Sequence, residues 1–229
     1  MHRNRAILLI LFLALLPFGA KALVLWSGST GYLLQSLYKP LQLLTPFVWR
    51  WVTQKSLTGP LREKPSIGTL LIAILFALLA SGIAIGLLLI VAPLLALDPL
   101  VIRAGLDQRF SVSPLGAVGV VLFLSTANAL LEEWHFRLWL DRVLSEKLGK
   151  FLGITLSALA FGVMHVFIFA GTVDVPTFVL VLMAGGIAIM GAVWSLILRR
   201  TGGFYGAWLS HALTDAMLLG WGLTWLEYL

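Results

Sequence analysis

Five ionisable side chains lie within stretches of the sequence that are otherwise strongly apolar. They are Glu132, Glu133, His165, His211 and Asp215. An ionisable group inside a membrane-spanning helix is costly, and it marks a candidate functional site. A glutamate and a histidine around one water can act as a general base while the water attacks a carbonyl group, and donors on another helix can hold the developing oxyanion. These residue types therefore indicate hydrolysis, for instance of a peptide bond.

The two adjacent glutamates are expected to have different roles. With about 3.6 residues per turn, one stripe of the helix contains Ser125, Asn128, Glu132 and His135. Glu133 lies on another face, four residues before Arg137, in the order that favours an ion pair within a helix. Pairing with Arg137 leaves Glu132 free to face a polar cavity. The alternative is that both glutamates and Arg137 lie at the level of the lipid headgroups.

The two histidines give unequal signals. His165 is surrounded by aromatic and aliphatic residues, so a hydrogen-bonded packing residue is the alternative to a catalytic one. His211 and Asp215 are four residues apart, so the carboxylate can orient or charge-stabilise the ring.

Two histidines with a carboxylate also resemble a zinc-binding set, with Glu132, His165 and His211 as ligands. Because no HExxH motif is present, metal is the weaker alternative and no cofactor is predicted.

The composition places these residues in a membrane protein. Of 229 residues, 60% are hydrophobic and only 11% are charged, which is too few to cover the surface of a soluble globule. The net charge of +6 comes from basic residues at the ends of apolar runs. The positive-inside rule predicts this pattern for cytoplasmic loops, so the charge does not indicate a nucleic-acid partner. The absence of cysteine excludes disulfides and cysteine nucleophiles.

The apolar runs predict an all-α transmembrane bundle of six to eight spans, with four core helices carrying the polar motifs. Six runs are clear, and they cover 6–25, 67–97, 115–140, 151–170, 176–198 and 204–226. The segment 31–52 contains Lys39, Pro40 and Arg50, and it either crosses the membrane or lies in the interface as an amphipathic helix. Crossing gives seven spans and a cytoplasmic N-terminus, which we favour because most basic residues then face the cytoplasm.

Two local patterns predict how the spans pack and connect. Gly82 with Gly86, and Gly202 with Gly206, have the spacing of small residues that lets helices approach closely. The segment 141–150 is short and highly charged, which predicts a solvated turn between two spans.

Three motifs, in order along the chain, resemble those of the CPBP family, also called the ABI or CAAX-protease family. Residues 132–137 match EExxxR, Phe161 to His165 matches FxxxH, and His211 to Asp215 matches HxxxN/D. The family comprises glutamate-type intramembrane proteases, and it includes type II CAAX prenyl endopeptidases and bacterial relatives linked to bacteriocin processing or self-immunity. The resemblance implies a catalytic membrane core over 115–229, preceded in one integrated domain by membrane spans and an interfacial segment over 1–114.

The resemblance also implies a role for each matched residue. Glu132 and His165 would activate water, and His211 with the residue at position 215 would stabilise the oxyanion. The supporting positions are Glu133, Arg137, Asn128 and Phe161.

Position 215 departs from the pattern of the best-known prenyl endopeptidases, which have asparagine where this chain has Asp215. An ionised aspartate has acceptors but no donor, so it cannot bind an oxyanion directly. Either Asp215 is protonated, or it acts through His211 by holding that ring in a donating, cationic state. We favour the second interpretation.

The resulting prediction is a multi-pass intramembrane endopeptidase of a bacterial plasma membrane or thylakoid. Its predicted partners are membrane lipid and a membrane-associated protein or peptide substrate, with no nucleic acid, and the sequence favours no particular oligomeric state. A non-proteolytic regulatory or bacteriocin self-immunity protein with the same fold is the alternative. A third class is an ion or proton transporter, against which the lack of a repeated half argues.

Overall fold

The computed structural model describes residues 3–28, 36–54, 61, 63–110, 113–170 and 175–229. Within these ranges the chain is all-helical and contains no strand. Its helices are α1 (Arg3–Trp26), α2 (Tyr38–Thr53), α3 (Ile67–Leu94), α4 (Pro99–Phe110), α5 (Pro114–Leu148), α6 (Lys150–Ala170), α7 (Thr177–Thr201) and α8 (Phe204–Trp225). The first residues of the predicted segment 31–52, residues 31–35, lie outside the described ranges.

Five helices are long and apolar enough to cross a membrane, namely α1, α3, α5, α6 and α7. Each coincides with one of the six clear predicted spans, so the prediction is confirmed for these five. The sixth predicted span coincides with α8, which has 22 residues but is not among these five helices. Several long apolar helices are consistent with a multi-pass integral membrane protein.

Local signals in the sequence explain where the helices begin and end. Ser66 precedes α3 and accepts a hydrogen bond from the backbone N–H of Thr69, and Ser113 caps α5 in the same way, followed by Pro114 in its first turn. Gly149 and Gly202 end α5 and α7 with φ angles of +88° and +71°. Glycine adopts such angles without strain, so the chain can reverse after each helix.

The second helix, α2, has a polar inner face and an apolar outer face. Its buried residues are Tyr38, Gln42, Thr45, Pro46 and Trp49. Leu43, Leu44, Phe47 and Trp51 are exposed on the other side. The helix packs against α1 and α5, and its 16 residues extend only about 24 Å at 1.5 Å per residue. That length is short of a full crossing of the hydrocarbon layer, which needs about 20 residues.

The central helix, α5, is not a regular α-helix along its length. Two stretches, Leu124–Asn128 and Glu133–Asp141, have π-helical hydrogen bonding, and they flank the short α-helical turn Ala129–Glu132. A π turn is wider than an α turn, and such turns often occur at functional sites.

The helix also continues through residue 148, so the prediction of a solvated turn over 141–150 was wrong. Asp141 is buried and forms an ion pair with Arg199 of α7 at 2.6 Å.

Glycine allows close packing at some of the predicted positions but not at others. A Cβ atom added at Gly206 of α8 would lie 2.7 Å from Thr69 Cγ2 of α3, and one at Gly162 of α6 would lie 2.4 Å from the Ala184 carbonyl oxygen of α7. Close packing at Gly206 is thus confirmed, but at Gly202, the other glycine of that predicted pair, nothing described lies within 4 Å of an added Cβ atom. At Gly82 and Gly86 nothing described lies within 4 Å of an added Cβ atom. The packing prediction for that pair was wrong.

We predict that Gly162→Ala lowers the thermal stability of the protein in detergent micelles, because the added methyl group must push α6 and α7 apart. Overpacking of this kind costs about 1–3 kcal/mol. The matched control is Gly185→Ala on α7, where an added Cβ atom meets nothing within 4 Å. It should leave the melting temperature unchanged or raise it, because alanine favours a helix over glycine. Equal melting temperatures for the two variants would contradict the close packing of α6 on α7.

Candidate active site

The imidazole ring of His211 lies among three carboxylates in the interior of the bundle. Its Nδ1 atom is 2.9 Å from Glu133 Oε1, and its Nε2 atom is 3.7 Å from Glu132 Oε2 and 3.4 Å from Asp215 Oδ2. We call these four residues, Glu132, Glu133, His211 and Asp215, the acid–histidine cluster. The wide turns of α5 let both adjacent glutamates reach the same ring on α8. The structure therefore brings together the predicted residues of two motifs.

The plane of the His211 ring is fixed by an aromatic neighbour. Trp194 of α7 stacks on it, with ring centroids 3.8 Å apart and an angle of 15° between the planes. Phe161 of α6 meets the same ring edge-on at 5.8 Å. Trp194 was missed by sequence reasoning, because nothing in its spacing distinguishes it from the other eight of the nine tryptophans in the chain.

Arg137 compensates the charge of Glu133 from inside the protein. The Arg137 Nε atom is 3.4 Å from Glu133 Oε1, and the two side chains are 1% and 0% exposed. The pair is therefore buried in the bundle. The guanidinium carbon lies 4.2 Å from the centre of the Phe161 ring and 5.2 Å from that of Trp194, in the geometry of cation–π contacts. Glu133 is thus shared between Arg137 and His211, which the sequence did not indicate.

His165 of α6 is oriented by its own helix. Its Nδ1–H group donates to the carbonyl oxygen of Phe161 at 2.9 Å, since a carbonyl oxygen can only accept. The Nε2 atom is then the one that can accept a proton. The ring packs edge-on against Phe161 at 4.6 Å and contacts Phe169. Glu132 is close enough to interact with it electrostatically.

A hydrogen-bond chain reaches Glu132 from α2. The Asn128 Nδ2 group donates to Glu132 Oε1 at 3.0 Å, and the Lys39 ammonium donates to Asn128 Oδ1. Asn128 was predicted as a supporting residue, and the structure places it beside Glu132. Lys39 was missed as a site residue, because it lies 89 positions away in the segment whose crossing was uncertain. Its position in a segment of mostly apolar residues was the available signal.

His135 does not join the acid–histidine cluster, although the helical wheel places it on one stripe with Glu132. Its Nδ1 atom instead lies 2.9 Å from Thr45 Oγ1 and 3.1 Å from the Gln42 carbonyl oxygen, both on α2. The π-helical stretch that begins at Glu133 changes the angle between successive residues, so the regular wheel fails there.

The alternative metal set does not fit this geometry. Among the described side chains, no group of three or more histidines, aspartates and glutamates is arranged so that it could hold a metal ion. Glu132, His165 and His211 therefore do not form a ligand shell in this conformation.

Comparison with known families agrees with the motifs. Residues 114–217 match the family model described as Type II CAAX prenyl endopeptidase Rce1-like, so the chain carries a domain of this CAAX-protease family. The match extends from the start of α5 into α8 and includes every residue of the acid–histidine cluster, together with His165 and Arg137. No curated protein and no solved structure matches the chain.

We predict that Arg137→Met strongly destabilises the protein, because it leaves the Glu133 carboxylate buried without its cation. Breaking a buried pair in this way costs about 3–5 kcal/mol. The same helix offers a matched control in Arg142→Met, since Arg142 and Glu146 also form an i, i+4 pair but are 41% and 37% exposed. An exposed pair contributes about 0–1 kcal/mol. In thermal unfolding in detergent, the melting temperature should fall strongly for Arg137→Met only. Similar small decreases for both variants would contradict the conclusion that Arg137 compensates the buried charge of Glu133.

Proposed function

We propose that this protein is an intramembrane endopeptidase that hydrolyses a peptide bond of a membrane-associated protein or peptide. The observation that carries the proposal is the buried acid–histidine cluster, with His165 beside it, on an Rce1-like domain. Burying two adjacent glutamates against one histidine is energetically unfavourable, and buried ionisable groups of this kind are typical of functional sites.

Glu132 and His165 are the groups proposed to activate water. Asn128 holds Glu132 Oε1, which leaves Oε2 for the water, and His165 presents Nε2 because its Nδ1–H group is bound to Phe161. As the water oxygen bonds to the carbonyl carbon, its proton passes to the carboxylate. When the carbon–nitrogen bond then breaks, that proton can go to the departing amine.

His211 is proposed to stabilise the oxyanion. Glu133 accepts from its Nδ1–H group, so Nε2–H is the donor left for substrate when the ring is protonated. Asp215 Oδ2 lies 3.4 Å from Nε2, where a negative charge favours the protonated ring. This geometry supports the interpretation that Asp215 acts through His211 rather than as a donor of its own.

The helix directions support seven membrane segments with the N-terminus in the cytoplasm. Helix α1 contacts the end of α5 at residues 142–148, and Phe18 pairs with Phe167 near the other end of α6. The start of α1 is therefore on the side of Lys147, Lys150, Arg199 and Arg200, which the positive-inside rule assigns to the cytoplasm. In this proposal α2 is the short seventh segment. The host membrane is a bacterial plasma membrane or a thylakoid.

We predict that Glu132→Ala and His165→Ala each abolish substrate cleavage, because loss of a general base reduces turnover by about 10²–10⁴-fold. The experiment complements a deletion strain with each variant at wild-type membrane levels and compares the membrane peptidomes. Peptides produced by the wild type should be missing from both variants. Full function in both variants would refute the protease and favour a regulatory or self-immunity protein with this fold.

We also predict that Asp215→Asn changes the pH dependence of turnover more than its maximum. Removing the carboxylate beside Nε2 makes the protonated His211 ring less favourable, so the alkaline limb of the profile should move to lower pH. The measurement is the rate of cleavage of a peptide found in the peptidome comparison, followed across pH 5–10 with purified protein. A profile identical to that of the wild type would show that Asp215 does not act through His211.

A further inference from the structure

The candidate active site includes a cation that lies outside the region matched by the family model. Lys39 is near the start of α2, whereas the match begins at residue 114. Its side chain is partly buried, lies over the Tyr38 ring and hydrogen-bonds to Asn128. It is also close enough to Glu132 and Asp215 to interact with both electrostatically. A partly buried ammonium group is costly unless it has such partners.

The Asn128 atom that Lys39 contacts determines how the Asn128 amide is oriented. An ammonium group has donors and no acceptor, so it must face the Asn128 oxygen rather than the nitrogen. The amide nitrogen then points at Glu132 Oε1 and donates to it at 3.0 Å. A flipped amide would place its N–H groups against the ammonium and its oxygen against the carboxylate. Lys39 therefore disfavours the flip, and through Asn128 it fixes one oxygen of Glu132.

Several negative charges lie close to Glu132, so the position of the Lys39 ammonium group matters for this carboxylate. Glu132, Glu133 and Asp215 bring three carboxylates to one ring, and Arg137 is paired with Glu133. Lys39 approaches from α2, on the Asn128 side of Glu132. It supplies a positive charge that the matched region lacks at this position.

We propose that Lys39 is a positioning residue of the site, which orients Asn128 and thereby holds the Glu132 carboxylate in place for the attack on substrate. This role rests on the proposed hydrolysis. It makes α2 part of the active site, so the N-terminal part of the chain is needed for turnover and not only for membrane insertion.

The first test reads the hydrogen bond without any substrate. The chain has only two asparagines, Asn4 and Asn128, so protein labelled with ¹⁵N-asparagine gives two side-chain amide signals, and Asn128→Ala identifies one of them. Lys39→Met should shift the Asn128 signal, whereas Lys39→Arg, which keeps a charged donor, should retain it near its wild-type position. Arg50→Met removes an exposed charge from the same helix and should change nothing. An unshifted Asn128 signal in Lys39→Met would overturn the proposal.

The second test reads the role in turnover on the peptide found in the peptidome comparison. Lys39→Met should lower kcat about 10- to 100-fold, as small misplacements of catalytic groups do, with KM within about twofold and partial rescue by Lys39→Arg. Because Lys39 acts through Asn128, adding Lys39→Met to Asn128→Ala should cause little further loss. Additive losses, a change in KM alone, or wild-type turnover would each overturn the positioning role.

Two controls separate the possible failures. Lys39→Met replaces a partly buried ammonium with an apolar side chain of similar length and is expected to fold, which circular dichroism and gel filtration check. Lys39→Leu, which also removes the donor, is the second variant if the methionine protein does not accumulate, and the same signal shift is expected. If Glu132→Gln cleaves as fast as the wild type, the proposed hydrolysis fails. If Glu132→Gln is inactive while Lys39→Met is fully active, only the role of Lys39 fails.

Discussion

Burial of the Glu133 carboxylate is the constraint on which the rest of the site depends. A carboxylate removed from solvent must be paired and hydrogen-bonded, or it destabilises the fold by several kcal/mol. Glu133 is compensated at Oε1 by two partners, Arg137 on its own helix and His211 on α8, while its Oε2 atom is buried without a hydrogen-bond partner among the described residues. The same contacts fix the His211 ring, and they leave its Nε2 atom facing Glu132 and Asp215. The contacts that compensate the buried charge of Glu133 are thus the same contacts that orient the His211 ring.

The neighbouring helices are arranged around this charge. Arg137 lies against the faces of Phe161 and Trp194, and Trp194 also stacks on His211. A Cβ atom at Gly191 of α7 would lie 2.9 Å from an Arg137 nitrogen, so glycine there makes room for the guanidinium group. Helix α6 reaches α7 closely through Gly162. These contacts explain why α7, which carries none of the three motifs, lines the site.

Much of the site could be predicted from the sequence because its contacts within helices follow a four-residue spacing. Glu133 with Arg137 and His211 with Asp215 are neighbours for that reason, and both contacts are present. The apolar lengths likewise predicted the five helices that are long and apolar enough to cross a membrane. The contacts between helices could not be predicted, since no spacing rule relates Trp194 to His211 or Lys39 to Asn128. The π-helical turns of α5 were also not predictable, and they explain the placement of His135.

In the proposed hydrolysis, Glu132 activates a water molecule and no metal ion takes part. The most direct measurement incubates the purified protein, reconstituted in liposomes, with membrane proteins of the deletion strain in H₂¹⁸O and a tight chelator. We expect new peptides that carry one ¹⁸O atom in the carboxylate at the cleavage site, produced by the wild type and not by Glu132→Gln. Absence of these peptides in the reaction with chelator but not in a parallel reaction without it, or equal amounts from the Glu132→Gln protein, would contradict this mechanism.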